Sequence, residues 1–168
     1  MMGDFHVIKD LENKKLVIEF EVAAAKANVW RAYADKDWFE KWWGPEGWET
    51  TTKEFNFAAG GSVHYGMKCV DERQGEWFGQ TSWGVMKIEE VNAEDWFSYR
   101  DYFSDETGKL DTNMPALLVK NEFFEEDGTT KIVSTSLADS AEQIEQLIEM
   151  GMIEGFKSQL AKLGDLVN

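Results

Sequence analysis

The sequence contains few of the residues that crosslink a chain or bind a transition metal. Its one cysteine, Cys69, excludes an intramolecular disulfide and a CxxC zinc site. Cys69 lies in an alternating apolar stretch, which is typical of a buried structural thiol. With only two histidines, His6 and His64, a His-based metal site or a Ser-His-Asp triad is hard to assemble. We therefore expect neither a metal nor another cofactor.

Basic residues are also scarce. The chain has 17 Lys and Arg against 32 Asp and Glu, which gives a formal net charge of −15. Such a surface repels phosphate backbones and anionic lipid headgroups, so neither nucleic acid nor a membrane surface is an expected partner. The sequence shows no early run of ~18 apolar residues and no signal-peptide pattern. It therefore predicts a cytoplasmic protein whose charge serves solubility.

Linker-forming segments are absent as well. The 168 residues include only two prolines, and they contain no internal repeat and no low-complexity tract. We expect one domain over 1–168, with its core at about 14–166. Hydrophobic residues make up 43% of the chain, and eight are tryptophan, which is enough to bury a substantial core.

Hydrophobic periodicity predicts a first strand, two short helices and then a run of strands. Strand 14–22 alternates, whereas 25–43 has helical spacing. Asp35 can cap the second helix, and Gly44-Pro45 ends it because proline cannot continue a helix. Short turns then indicate an antiparallel meander. Its six predicted strands are 48–56, 62–70, 77–91, 95–104, 114–126 and 129–137.

Residues 139–167 are predicted to form one long helix that begins with a capping box, Ser140 and Gln143. Gly151 and Gly155 lie on its apolar stripe, where each costs ~1 kcal/mol relative to alanine. Either the helix approaches the sheet closely there, or the missing side chains leave a cavity. The element order predicts an α+β fold: a curved antiparallel sheet of six or seven strands grips the long helix, and the two short helices plug one end.

Strand alternation selects the side chains that should face this helix. On strand 62–70, Tyr65 and Met67 lie on the apolar face, so His64 is expected on the outer face. On strand 77–91, Trp83 and Met86 fall on opposite faces, and the strand's length invites a bulge, so alternation alone does not assign either of them to the interior.

Asp101 is the most informative of the inward candidates. It shares a face with Tyr99 on strand 95–104, and Asn121 is a second inward polar group on strand 114–126. A buried carboxylate is costly unless it is hydrogen-bonded, and its pKa should rise. Either a neighbouring hydroxyl satisfies Asp101 structurally, or the carboxylate meets a ligand or acts as an acid or base.

Five segments share their order and spacing with a known superfamily. They are VWRAYADKDWFEKWWGPEGW, AAGGSVHYGM, DYFSDETG, MPALLVKNEFFEEDGTTKI and MGMIEGFKSQLAKL. Over about 14–166 the chain resembles START-like (SRPBCC) proteins, and within them the branch named for the activator of heat-shock-protein-90 ATPase. The resemblance implies a helix-grip fold with a deep cavity between the sheet and the C-terminal helix. It also implies hydrophobic-ligand binding or, in a few members, cyclisation or a similar step.

The leading hypothesis is non-catalytic binding of a small apolar or aromatic molecule in that cavity. The candidate lining residues are Trp43, Tyr65, Met67, Trp83, Tyr99, Asp101, Met114, Asn121, Met152 and Phe156, although core filling explains the methionines and indoles equally well. The alternative is a cyclase- or dehydratase-like enzyme with Asp101 as acid or base and Tyr65 or Tyr99 assisting. A chaperone partner whose ATPase is stimulated is implied only by the family name, and a homodimer is left open.

Overall fold

The computed structural model describes residues 4–114 and 116–168. Residue 115, within the strand predicted over 114–126, lies outside the described residues. The strands are β1 Phe5–Asp10, β2 Lys15–Val22, β3 Trp48–Phe55, β4 Ser62–Cys69, β5 Thr81–Asn92, β6 Trp96–Ser104, β7 Leu117–Glu126 and β8 Thr129–Leu137. The helices are α1 Lys26–Ala34, α2 Lys36–Trp42, α3 Ala141–Glu149 and α4 Met152–Val167.

One antiparallel sheet contains every strand of the described residues. Its order is β1-β2-β8-β7-β6-β5-β4-β3, so the predicted meander from β3 to β8 is confirmed. The predicted first strand, β2, pairs antiparallel with the last strand, β8. The sheet has eight strands rather than six or seven because Phe5–Asp10 adds an edge strand along β2. That strand is mostly exposed and therefore lacks the apolar alternation that would predict it.

The two short helices fill one end of the sheet with aromatic rings. Trp30 and Tyr33 of α1 meet Phe97 of β6 edge to face, at centroid distances of 5.8 and 5.4 Å. Phe123 of β7 contacts the same two rings at 5.6 and 5.3 Å. Such edge-to-face pairs add to the free energy gained by burial. The prediction that the two short helices plug this end is confirmed. Their rings do not extend to the opposite end of the sheet.

The corner after α2 is tied to the C-terminal helix. The carboxylate of Asp35 accepts hydrogen bonds from the first backbone N–H groups of α2, as predicted. Gly44, with φ +98°, turns the chain just after α2. Its N–H donates to Gln159 Oε1 at 2.8 Å, and its carbonyl accepts from Lys162 Nζ at 3.0 Å. These two bonds hold the Trp43–Pro45 corner against α4.

The prediction of one unbroken C-terminal helix is wrong. Gly151 has φ +90° and ψ 20°, a left-handed conformation that ends α3 and restarts the chain as α4. The capping box is also altered: Ser140 Oγ accepts from the Gln143 N–H at 3.1 Å, whereas Gln143 Oε1 accepts from the N–H of Asp139. Only a glycine escapes the steric cost of that φ, so Gly151 sets the break.

Neither glycine of the C-terminal segment packs closely. A Cβ built on Gly151 would meet no atom within 4 Å, and one on Gly155 would meet only Pro45 Cβ, at 4.0 Å, among the described residues. Of the two alternatives that the sequence left open, close approach to the sheet is therefore excluded. The missing side chains leave open space.

The two glycines should respond oppositely to the same substitution. Gly155→Ala should raise the free energy of unfolding by about 1 kcal/mol, because alanine favours a helix interior and nothing blocks its methyl group. Gly151→Ala should lower it by about 1–2 kcal/mol, because alanine is strained at positive φ. Urea denaturation of both variants measures the two signs. A stabilising Gly151→Ala would show that the helix is continuous through this point.

Candidate ligand-binding site

A cavity of about 310 Å³ lies between the sheet and the C-terminal helices, at the end that the aromatic plug leaves free. Strands β4, β6, β7 and β8 form its floor, α3 and α4 form its roof, and the corner after α2 closes one side. The lining residues are Trp43, Pro45, Tyr65, Met67, Tyr99, Asp101, Phe103, Leu117, Val119, Ser134, Ser136, Leu147, Met150, Gly151, Met152, Gly155, Phe156 and Gln159. The break at Gly151 therefore lies directly in the roof.

The ionisable groups of this wall are one carboxyl group and two phenols. The Tyr65 hydroxyl donates a hydrogen bond to Asp101 Oδ1 at 2.8 Å. Burial raises the pKa of Asp101 to about 7, and the bond from Tyr65 offsets part of that rise. Burial first, and then the charge of Asp101, raises the pKa of both Tyr65 and Tyr99 well above the usual phenol value. Both phenols therefore stay neutral, and Asp101 titrates near neutral pH.

A glycine on the neighbouring strand determines where the Tyr65 ring can lie. Tyr65 on β4 pairs with Gly84 on β5, and a Cβ at Gly84 would lie 2.5 Å from the Tyr65 hydroxyl oxygen. Only a glycine leaves room for the ring to lie across that strand. The Trp43 indole meets the ring at 5.7 Å edge to face, and its hydrogen bond to Tyr65 lowers the pKa of that phenol. The Tyr65 ring thus lies between the Trp43 indole, which it meets edge to face, and the Asp101 carboxylate, to which its hydroxyl donates.

Seven of the ten residues predicted from the sequence line this cavity. They are Trp43, Tyr65, Met67, Tyr99, Asp101, Met152 and Phe156. Strand alternation correctly predicts the inward face of β4 and of β6. Trp42, next to Trp43, is fully buried in the core, where its indole N–H donates to the Ala32 carbonyl.

Trp83 lies on the other face of the sheet and does not line the cavity. It pairs with Gly66 across β4 and β5, where a Cβ on Gly66 would lie 2.6 Å from the indole ring. Lys53 Nζ lies 5.1 Å from the centroid of its ring, and the His64 ring lies beside it at a centroid distance of 5.3 Å and a tilt of 48°. The indole thus covers exposed backbone on the outer face. His64 is on that face, as predicted, yet it is buried there.

Met114 and Asn121 are also outside the cavity. Met114 precedes β7, so strand alternation does not reach it, and it lines an outer groove with Trp77 and Trp83. Asn121 does face inward, but it pairs with Phe97 at the end that the aromatic plug fills. Its Oδ1 is buried with no hydrogen-bond partner among the described residues.

Sequence reasoning missed three polar residues of the wall. Ser134 and Ser136 alternate with outward residues on β8, so the same period-2 rule would have found them on that strand. Gln159 is a polar residue on the apolar side of α4, where it is buried and holds the Gly44 N–H. A buried amide on an apolar stripe is the signal that could have revealed it.

Two negative findings apply to residues 4–114 and 116–168. No group of three or more His, Cys, Asp or Glu side chains is arranged to hold a metal ion. No helix of this part of the chain combines the length and the apolar character needed to span a bilayer. Cys69 is buried and free, as the alternation around it predicts.

The comparison with protein families is decisive for classification. The model of the family described as "Activator of Hsp90 ATPase homolog 1-like protein" matches residues 23–168. The chain belongs to this family. The START-like resemblance of the five sequence segments is thereby confirmed, and membership in the activator of Hsp90 ATPase homolog 1-like family supports a domain of the ligand-binding type. A search of the curated proteins found no match.

Solved structures resemble this family member over nearly all of their length. Protein Ms6760 from Mycobacterium smegmatis is 32% identical, with a TM-score of 0.85, over 100% of this chain and 98% of that one. A protein from Arthrobacter aurescens is 26% identical, with a TM-score of 0.86, over 96% and 90%. A protein from Staphylococcus epidermidis is 28% identical, with a TM-score of 0.81, over 96% and 93%.

Asp101 should make the free energy of unfolding decrease as pH rises, and an Asp101→Asn variant isolates this contribution. Its folded pKa of about 7 exceeds the ordinary value of 3.8, so the stability it contributes is full below pH 3.8 and is lost as pH rises through 7. Relative to wild type, Asp101→Asn should therefore gain stability between pH 4 and pH 8, by at most about 4 kcal/mol.

Urea denaturation of both proteins across that pH range measures the gain. The two histidines are common to both proteins, so their titration cancels in the difference. A difference that stays constant with pH would show that Asp101 is solvated in the folded protein.

Proposed function

We propose that the protein binds a small, mostly apolar molecule with an aromatic part and one polar end, without catalysing its conversion. This proposal is supported by one observation: the sheet and the C-terminal helices form a partly open, largely apolar cavity, and the described residues of its wall include a single hydrogen-bonded carboxyl group. Ligand sites commonly combine an apolar wall with a few oriented polar groups. The polar end would meet Asp101, and the apolar body would lie against Met152 and Phe156.

The size of the cavity limits the ligand. A volume of about 310 Å³ is at the small end of the ~300–1,000 Å³ range of ligand pockets. It suits a molecule of one or two rings rather than a long acyl chain. Met67, Met150 and Met152 add adaptable side chains to the wall, which favours tolerance of ligand shape.

A second candidate function is acid–base catalysis by the same carboxyl group. A general acid or base works best when its pKa lies near the working pH, and the pKa of Asp101 is about 7. Among the described residues its hydrogen-bond donor is the Tyr65 hydroxyl, so backbone donors do not occupy it. Native mass spectrometry separates the two candidates: a binder returns the incubated molecule with unchanged mass, whereas an enzyme returns a product.

Filling the cavity should abolish binding without unfolding the protein. Gly155→Leu would place an isobutyl group in the open space beside Pro45. We expect it to weaken binding of 2-(1-naphthyl)ethanol, a neutral two-ring alcohol, at least tenfold relative to wild type, because the two occupy the same volume. Isothermal titration calorimetry gives both affinities, and circular dichroism checks the fold.

Glu154→Leu is the matched control. It adds the same side chain one residue earlier, at an exposed position of α4 outside the cavity. Its affinity for the alcohol should equal that of wild type. Equal affinity for the alcohol in wild type and Gly155→Leu would contradict a ligand site in this cavity.

A further inference from the structure

The cavity has an acidic group and no basic one. None of the lining residues is Lys, Arg or His, so no cation of the described residues pairs with Asp101 there. Lys162 of α4, which is partly buried, donates to the carbonyl groups of Gly44 and Trp48. A desolvated carboxylate without a counter-charge is costly, which is the condition that a charged ligand would relieve.

From this arrangement we infer that the ligand is an organic cation: an amine with an aromatic or other apolar body, whose ammonium group pairs with Asp101. The inference rests on the proposed ligand-binding function and assigns the chemistry of the ligand's polar end. It assigns Asp101 as the recognition group, with Tyr65 as the residue that positions its carboxylate.

The hydrogen bonds around the carboxylate leave it free to accept from a ligand. Tyr65 occupies Oδ1, and among the described residues no second donor is bonded to the carboxyl group. The Trp43 indole packs edge to face against the Tyr65 ring, and the Tyr65 hydroxyl donates its proton to Asp101. An ammonium group carries three donors and no acceptor, which complements a carboxylate with unused lone pairs.

The aromatic wall favours the same charge. Trp43, Tyr65, Tyr99, Phe103 and Phe156 all line the cavity. Aromatic faces attract cations through their quadrupole, and the attraction is stronger when the cation is partly removed from water. A carboxylate and aromatic rings in the wall of one cavity therefore both favour an ammonium group, and both disfavour an anion of the same shape.

The net charge of the whole molecule also favours a cationic ligand. A formal net charge of −15 creates a negative potential that concentrates cations near the surface and repels anions. This long-range effect is independent of the geometry in the cavity. Replacing one exposed acid should weaken it only slightly, whereas replacing Asp101 removes the ion pair itself.

The affinities of a cationic ligand and of a neutral ligand should depend on pH in opposite directions. If a ligand carbonyl accepted a bond from protonated Asp101, affinity would fall as pH rises, whereas a cation binds better as the carboxylate ionises. The titratable groups that face Asp101 are Tyr65 of β4 and Tyr99 of β6, both neutral across this range. The lining residues from β7, β8, α3, α4 and the corner after α2 are uncharged.

Three probes of one shape test the inference: 2-(1-naphthyl)ethylamine, 2-(1-naphthyl)ethanol and 1-naphthylacetate. An alkylamine with a pKa of ~10 stays cationic at both pH 5.5 and pH 8.5. By calorimetry at pH 8.5 we expect the amine to bind wild type about tenfold more tightly than the alcohol, and the acetate to bind most weakly. The preference for the amine should largely disappear at pH 5.5.

Two variants assign the effect to its source. Asp101→Asn should reduce the preference for the amine at pH 8.5 to the same small value as at pH 5.5, because only the aromatic wall and the net charge then favour the cation, while Glu12→Gln should retain the full preference and its pH dependence. Glu12 is exposed in the turn between β1 and β2, and this variant loses the same unit of charge away from the cavity. An amine preference in Asp101→Asn that is as large and as pH-dependent as in wild type, or an equal loss of the preference in Glu12→Gln, would overturn the inference.

The outcomes separate this inference from the proposed function. Equal binding of alcohol and amine to wild type, or tighter binding of the acetate, would overturn the cationic ligand while leaving a ligand-binding cavity in place. Failure of all three probes to bind wild type would contradict the proposed function itself, and with it the inference.

Discussion

The chemistry of the candidate site depends on the hydrogen bond from Tyr65 to Asp101. It places a carboxyl group in the wall of a mostly apolar cavity in which none of the described lining residues is basic. Burial then raises the pKa of Asp101 to about 7, so this acid changes charge near neutral pH. Removing the phenol would leave the carboxyl group without its donor, and removing the acid would leave a purely neutral wall.

The space around that bond is created by backbone geometry rather than by loose packing. Gly151 breaks the C-terminal helix in the roof, and Gly155 contributes no side chain to it. Gly84 lets the Tyr65 ring lie across β5. At the other end α1 fills the sheet with edge-to-face rings, which fixes the strands that carry the site. A rigid aromatic end and an open apolar end are thus built on one sheet.

The sequence allowed much of this to be predicted, and the failures have physical reasons. Alternation placed Asp101 inward because one face of β6 is apolar and buried. It could not show that Gly151 is left-handed, since a glycine on an apolar stripe fits a helix or a break equally well. The assignment of Trp83 to the cavity failed because this large ring covers Gly66 on the outer face instead. The edge strand Phe5–Asp10 was missed because it is mostly exposed and carries no periodic signal.

Family membership sets the fold of this chain, whereas its chemistry depends on side chains that the fold does not fix. The central claim is that Asp101 is a desolvated acid inside a cavity that lacks a counter-charge. Carbon-13 NMR of the Asp101 side-chain carboxyl group, followed from pH 3 to pH 9, measures its pKa directly. The structure predicts a midpoint near 7. A midpoint near the ordinary value of 3.8 would contradict this claim, because it would show that water or a cationic group already stabilises the carboxylate.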